Sequence, residues 1–181
     1  MISYMNTASQ VTLDLLKTFS QTTEWNHPLW ISVMDALRVT FEVDEDMFWT
    51  TETYKQYIPV LVAQVESLGK QPGDIDDLTK AFAGMSSALV DSTTSEVILK
   101  QFNAALLLTT RSENAQVRLV ALQVLDAIWA KQEEMVQFVP ETVGEFLNEL
   151  LEDEEASVEQ AARRFLKRIE GYVGDLSAYL E

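Results

Sequence analysis

Residues 138–166, FVPETVGEFLNELLEDEEASVEQAARRFL, decide the fold. Val139, Val143, Phe146, Leu147 and Leu150 recur at helical spacing and share one face. Pro140 falls in the first turns of that run, where a missing N–H costs no internal hydrogen bond. The acidic tract 152–155 breaks the pattern, and a second helical run follows with Val158, Ala161, Ala162, Phe165, Leu166 and Ile169. Two helices joined by a short polar turn form an αα-hairpin, which cannot bury its apolar stripes by itself.

The pattern repeats. Forty-one positions earlier stand Val117, Ala121, Leu125 and Ile128 for Val158, Ala162, Leu166 and Ile169, with Val124 for Phe165. The first helix of the hairpin also recurs. Ile58-Pro59-Val60-Leu61-Val62 mirrors Val139-Pro140 and its apolar run, and the two prolines are 81 residues apart, two steps of about 40. Helix pairs at that period are the signature of armadillo and HEAT solenoids. In detail the tract resembles a HEAT repeat, with proline early in helix A, Asp153 in the turn, and Val158, Ala162 and Arg163 in helix B. Glu159 departs from the Arg or Lys common in such repeats, whereas the upstream copy keeps it as Val117-Arg118.

Outward from this tract, the remaining chain reads as further helices. Val11 to Phe19 lie in a first helix over 8–22. Pro28 starts a second, with Leu29, Trp30, Val33, Met34, Leu37 and Phe41. A third covers 52–68, with Pro59 expected to kink it or mark a restart. Gly69-Lys70-Gln71-Pro72-Gly73 is a loop, and Asp74 is expected to N-cap a fourth helix over 75–89. Helices over 95–110 and 114–131 form the next pair, and the hairpin from 138, continuing to Val173, forms the last. The expected fold is all-α: an α-solenoid of HEAT-like hairpins, four pairs and eight helices, over residues 1–181 as one domain. The first pair lacks the repeat signature, which favours an end-capping or irregular role. Met34, Met47, Met85 and Met135 read as core fillers.

Function is bounded mainly by exclusion. Cysteine is absent and His27 is the sole histidine, so thiolate and histidine-cluster metal sites are ruled out. His27 has no evident nucleophile partner and reads as a loop residue near a helix start. Asp44 and Asp46 have the opening spacing of a calcium loop, but Met47, Phe48 and Trp49 occupy the places of the next ligands and the glycine. No metal, cofactor or catalytic residue is therefore expected, and Phe48 and Trp49 are expected to plug the core. Glycine-rich phosphate loops, nucleophile elbows and HExxH motifs are missing. No apolar run is long enough to span a membrane, and MISYMNTASQ is not patterned as a signal peptide. Met1 and Leu180-Glu181 are candidates for added terminal residues.

With 29 acidic and 13 basic residues the net charge is −16, a field that repels phosphate backbones. The one basic cluster, Arg163, Arg164, Lys167 and Arg168, is the candidate partner contact, although Glu159 at i−4 is placed to pair with Arg163.

The tract ALRVTFEVDEDMFWTTETYKQYIPVLVAQVESL, residues 36–68, resembles the C-terminal domain of the U-three-protein-ten family, large nucleolar HEAT-repeat proteins. The resemblance rests on Ala36-Leu37, Phe41, the tract from Asp44 to Trp49 and the apolar run after Tyr57. The closing half extends it, from Val117-Arg118-Leu119-Val120-Ala121-Leu122 through Phe138-Val139-Pro140-Glu141-Thr142 to Gly174-Asp175-Leu176-Ser177-Ala178-Tyr179. The family implies a non-enzymatic subunit of the small-subunit processome. It would act in nucleolar processing of pre-ribosomal RNA with other processome proteins, and this chain would be the C-terminal end of a much longer solenoid. A generic HEAT adaptor outside ribosome assembly and an all-helical enzyme are the alternative readings.

Overall fold

The computed structural model describes residues 2–22, 24–44, 48–130 and 133–180. Met1, Thr23, Glu45, Asp46, Met47, Lys131 and Glu181, each part of an expectation above, lie outside them. The described residues form eight helices and no strand. These are α1 (Ile2–Gln21), α2 (His27–Glu42), α3 (Thr51–Leu68), α4 (Asp76–Ser92), α5 (Glu96–Thr109), α6 (Ala115–Trp129), α7 (139–150) and α8 (Ala156–Val173).

Polar residues set several of the starts. The Asn26 side chain accepts from the Leu29 amide, with Pro28 in the first turn of α2. Thr50 and Asn114 cap α3 and α6 in the same way. At α4 the expectation is corrected. The cap position belongs to Ile75, and Asp74 lies one residue outside, where its carboxylate accepts from the Asp76 amide as an Asx turn. The first helix begins at Ile2, six residues before the expected start. Pro59 marks no restart. The helix runs through it, with the ring on the exposed side of α3.

The helices stack in two rows. Even-numbered α2, α4, α6 and α8 pack each on the next, and α1, α3 and α5 form the facing row. α7 joins the odd row through Thr142, which meets Asn103 of α5, and Glu149, which meets Arg111 in the turn after α5. The repeat register holds: Val117, Ala121, Leu125 and Ile128 are buried, as are Val158, Ala162 and Ile169, while Leu166 is half-buried. Met34, Met85 and Met135 are buried. One close approach ties the third helix to the sixth. At Gly69, which ends α3, an added Cβ would stand 2.6 Å from the Val117 Cα.

α7 is not one regular helix. A 3₁₀ stretch, Glu133–Phe138, leads into an α turn, Val139–Glu141, then six π-helical residues, Thr142–Leu147, then Asn148–Leu150. All five apolar residues assigned to this helix are buried. So is Thr142, whose hydroxyl accepts a hydrogen bond from the Asn103 amide nitrogen. After α8, Gly174 takes φ +84 and turns the chain, and Leu176 closes the core completely buried.

Candidate docking surface

The basic cluster lies on the outer face of α8, opposite Val158, Ala161, Ala162, Phe165 and Ile169. Its four members divide. Arg163 donates to Glu159 one turn earlier, Nε to Oε1 at 2.8 Å, as the spacing predicts. Arg168 crosses to α6, where both carboxylate oxygens of Asp126 accept from its guanidinium. Arg164 and Lys167 are exposed. The surface free to meet a partner is therefore about half the expected cluster.

Two arginines outside that cluster do more for the stack. Arg118, at the start of α6, makes a two-pronged pair with Asp153, Nε and Nη2 each 2.8 Å from a carboxylate oxygen. Its Nη1 also donates to the Ser112 and Glu113 carbonyls, so it locks the turn before its own helix to the turn of the next hairpin. Both side chains are nearly buried, at 10% and 8% exposure. Burial pushes the Asp153 carboxyl up, but hydrogen bonds from Arg118 and the Glu155 amide outweigh it, and the net direction is down. Arg111 pairs with Glu149 on α7 at 2.9 and 2.6 Å and lies 4.2 Å over the Phe146 ring.

Two buried polar chains were not legible as functional or structural pairs in the sequence reading. In the second half, Trp129 Nε1 donates to Asn103 Oδ1, and Asn103 Nδ2 donates to Thr142, linking α6, α5 and α7. In the first half, Trp30 Nε1 donates to Gln64, whose amide donates to the Leu16 carbonyl and the Ser20 hydroxyl, linking α2, α3 and α1. The available signal was a carboxamide interrupting an apolar helix stripe: Gln64 between Leu61 and Val65, Asn103 between Phe102 and Leu106.

The surface depressions offer little chemistry. One of about 400 Å³, between α2 and α4, is lined by His27, Pro28, Ile31, Asp74, Asp76, Asp77, Leu78 and Lys80. It contains no hydroxyl or thiol that His27 could activate. Among the described residues no group of three metal-ligating side chains converges. Asp44 spends both oxygens on its own loop, accepting from the Phe48 and Trp49 amides at 2.8 and 3.0 Å. Trp49 packs on Phe41, Tyr54 and Tyr57, as expected of a plug. Both rings are half-buried, but Trp49 packs against the core whereas Phe48 meets only the edge of Trp49 among the ring contacts, so the plug is one residue and not two. Among the described residues no helix is long and apolar enough to cross a membrane.

Stacked helix pairs, an arginine–aspartate tie between successive turns and a charged outer surface define an α-solenoid of the HEAT class. No family model matches the chain. Curated relatives do. Over 164 residues, 84% of the chain, it is 30% identical to "U3 small nucleolar RNA-associated protein 10" of Mycosarcoma maydis. Over 145 residues, 79% of the chain, it is 34% identical to the protein of that name in Neurospora crassa. A "HEAT repeat-containing protein 1 homolog" of Dictyostelium discoideum is 30% identical over 156 residues, 82% of the chain. The chain belongs to this family of U3 small nucleolar RNA-associated protein 10 relatives. It spans 7–8% of the length of these relatives.

Proposed function

We propose that this chain is a non-catalytic protein-docking segment of a small-subunit processome component, acting in nucleolar pre-ribosomal RNA processing. Family membership supports the ribosome-assembly setting, and the relatives' printed names carry the nucleolar location. The observation behind docking through protein is electrostatic. The net charge is −16, and at least eight of the 13 basic side chains stand in ion pairs within the chain. A surface for RNA needs free cations to replace condensed counterions, and few are free here. The partners are other processome proteins, met along the long helical faces. The segment is proposed to be the C-terminal end of its solenoid.

The test is a titration of the chain with pre-ribosomal RNA leader fragments at low salt. The expected result is no submicromolar binding, together with capture of other processome proteins by the same chain. Submicromolar binding that weakens steeply with salt and vanishes in Arg164→Glu/Lys167→Glu would overturn it.

A further inference from the structure

The even-numbered helices turn one side outward along the whole row, and the charges on that side are sorted from end to end. On α2 the outward residues beside α4 are Asp35, Arg38 and Glu42, with Arg38 bonded to both acids. Arg38 leans over α4, where a Cβ added to Gly84 would stand 3.9 Å from its side chain. On α4, Asp76 and Lys80 lie one turn apart and exposed, next to exposed Asp74 and Asp77. Five carboxylates thus face the two bases Arg38 and Lys80, and this end is acidic.

α6 is neutral on the same side. Gln116, Leu119 and Gln123 stand opposite its buried stripe, and the one acid there, Asp126, is matched by Arg168. α8 is basic. Forty-one positions after Leu119, Gln123 and Asp126 come Gln160, Arg164 and Lys167, so two bases hold the repeat positions of a glutamine and an aspartate. Neither Arg164 nor Lys167 pairs with an acid among the described residues.

A trough links these helices. The depression between α2 and α4, and a second of about 280 Å³ between α4 and α6, share Asp76 and Lys80 in their linings. Together they lead from Ile31 on α2, over the small residue Ala83 on α4, to Gln123 and Ala127 on α6. Arg164, one repeat beyond Gln123, is next in line. The Gln116 and Gln123 carboxamides bond to no described residue. Each offers a donor and an acceptor, which an extended backbone uses and a helix, with its own bonds made, does not. Neighbouring helix axes lie about 8–10 Å apart, so α2 to α8 is about 24–30 Å, the reach of about eight or nine extended residues.

Taking the docking role proposed above as given, we infer that this side of the even row binds an extended segment of a partner protein with its charges at opposite ends. The basic end lies over α2 and α4, the uncharged middle over α6, and the acidic end on Arg164 and Lys167. Charge complementarity names that occupant. A wholly basic segment meets Arg164 and Lys167, a wholly acidic one meets the carboxylates of α2 and α4, and like charges disfavour both. A nucleic acid is repelled by the same carboxylates.

The test is a random sixteen-residue peptide library on phage, panned on the immobilised 181-residue chain, on Arg164→Glu/Lys167→Glu and on Asp76→Asn/Asp77→Asn. All four positions are exposed, so both variants should keep the wild-type melting temperature. The wild-type chain should enrich peptides whose basic and acidic residues are separated by about five or six positions, the span of two helix steps. One such peptide, carrying fluorescein, should bind Arg164→Glu/Lys167→Glu at least about tenfold more weakly in anisotropy, and an isomer with its charges evenly mixed should lose a similar factor. Binding to Asp76→Asn/Asp77→Asn should also weaken. Enrichment of uniformly basic peptides, enrichment of no charge order, or a two-ended peptide indifferent to both variants would overturn the inference. Capture of processome proteins that both variants retain would overturn the trough and leave the docking role standing, whereas RNA held by Arg164 and Lys167 would defeat both.

Discussion

At the scale of single residues, the Arg118–Asp153 pair ties successive hairpins together, and its energetics follow from its burial. Removing one member of a nearly buried pair leaves the other charge without compensation. Arg118→Ala should therefore cost about 3–5 kcal/mol in chemical denaturation at neutral pH. The pH dependence has a definite sign. The folded-state carboxyl of Asp153 titrates below its ordinary value of about 3.9. Its contribution is complete above that value and is lost as pH falls below it toward the lowered folded value. Wild-type stability should drop over that acid range, and Arg118→Ala should show a smaller drop. Gly69 presents the opposite problem, contact without room. A Cβ 2.6 Å from the Val117 backbone has no flexible neighbour to displace. Gly69→Ala should lower stability by about 1–3 kcal/mol, read from the denaturation midpoint.

At the scale of elements, α6 is the clearest instance of how the repeat is held. Val117, Ala121, Leu125 and Ile128 form one stripe, and Val120, Val124 and Trp129 bury much of the remaining circumference, because α6 has neighbours on both sides. Leu125→Ala should cost about 2–5 kcal/mol by emptying a fully buried site. A loss under half a kcal/mol, on the order of a surface substitution, would show that the stripe is misregistered. The loop between α2 and α3 carries its own prediction. Asp44 already accepts two amide hydrogens, so calcium should leave the melting temperature unchanged; an ion that binds the folded state must raise it.

At the scale of the whole molecule, charge dominates. Twenty-nine acids against 13 bases leave −16, and self-repulsion of that size opposes the compact state. Screening shortens from about 30 Å at 0.01 M salt to about 8 Å at 0.15 M. The melting temperature should thus rise between those salt concentrations in a thermal scan, before any specific ion effect. A flat or falling response would show that the internal ion pairs, which salt weakens, outweigh the net repulsion.

What the sequence by itself determined is what depends on periodicity along the chain. The eight helices and the 41-residue register of Val117 to Ile128 on Val158 to Ile169 follow from which residues recur. The pairing of Glu159 with Arg163 was legible for the same reason, since one helical turn fixes that distance. The tertiary structure decided everything that joins distant positions. Arg118 and Asp153, Arg168 and Asp126, and Trp129, Asn103 and Thr142 meet only once the helices stack. The π-helical turns of α7 and the exposure of Leu29, Val39 and Val43 on α2 belong to the same class. A helix pattern shows which side is apolar, but only the packed neighbours show which apolar side is already covered.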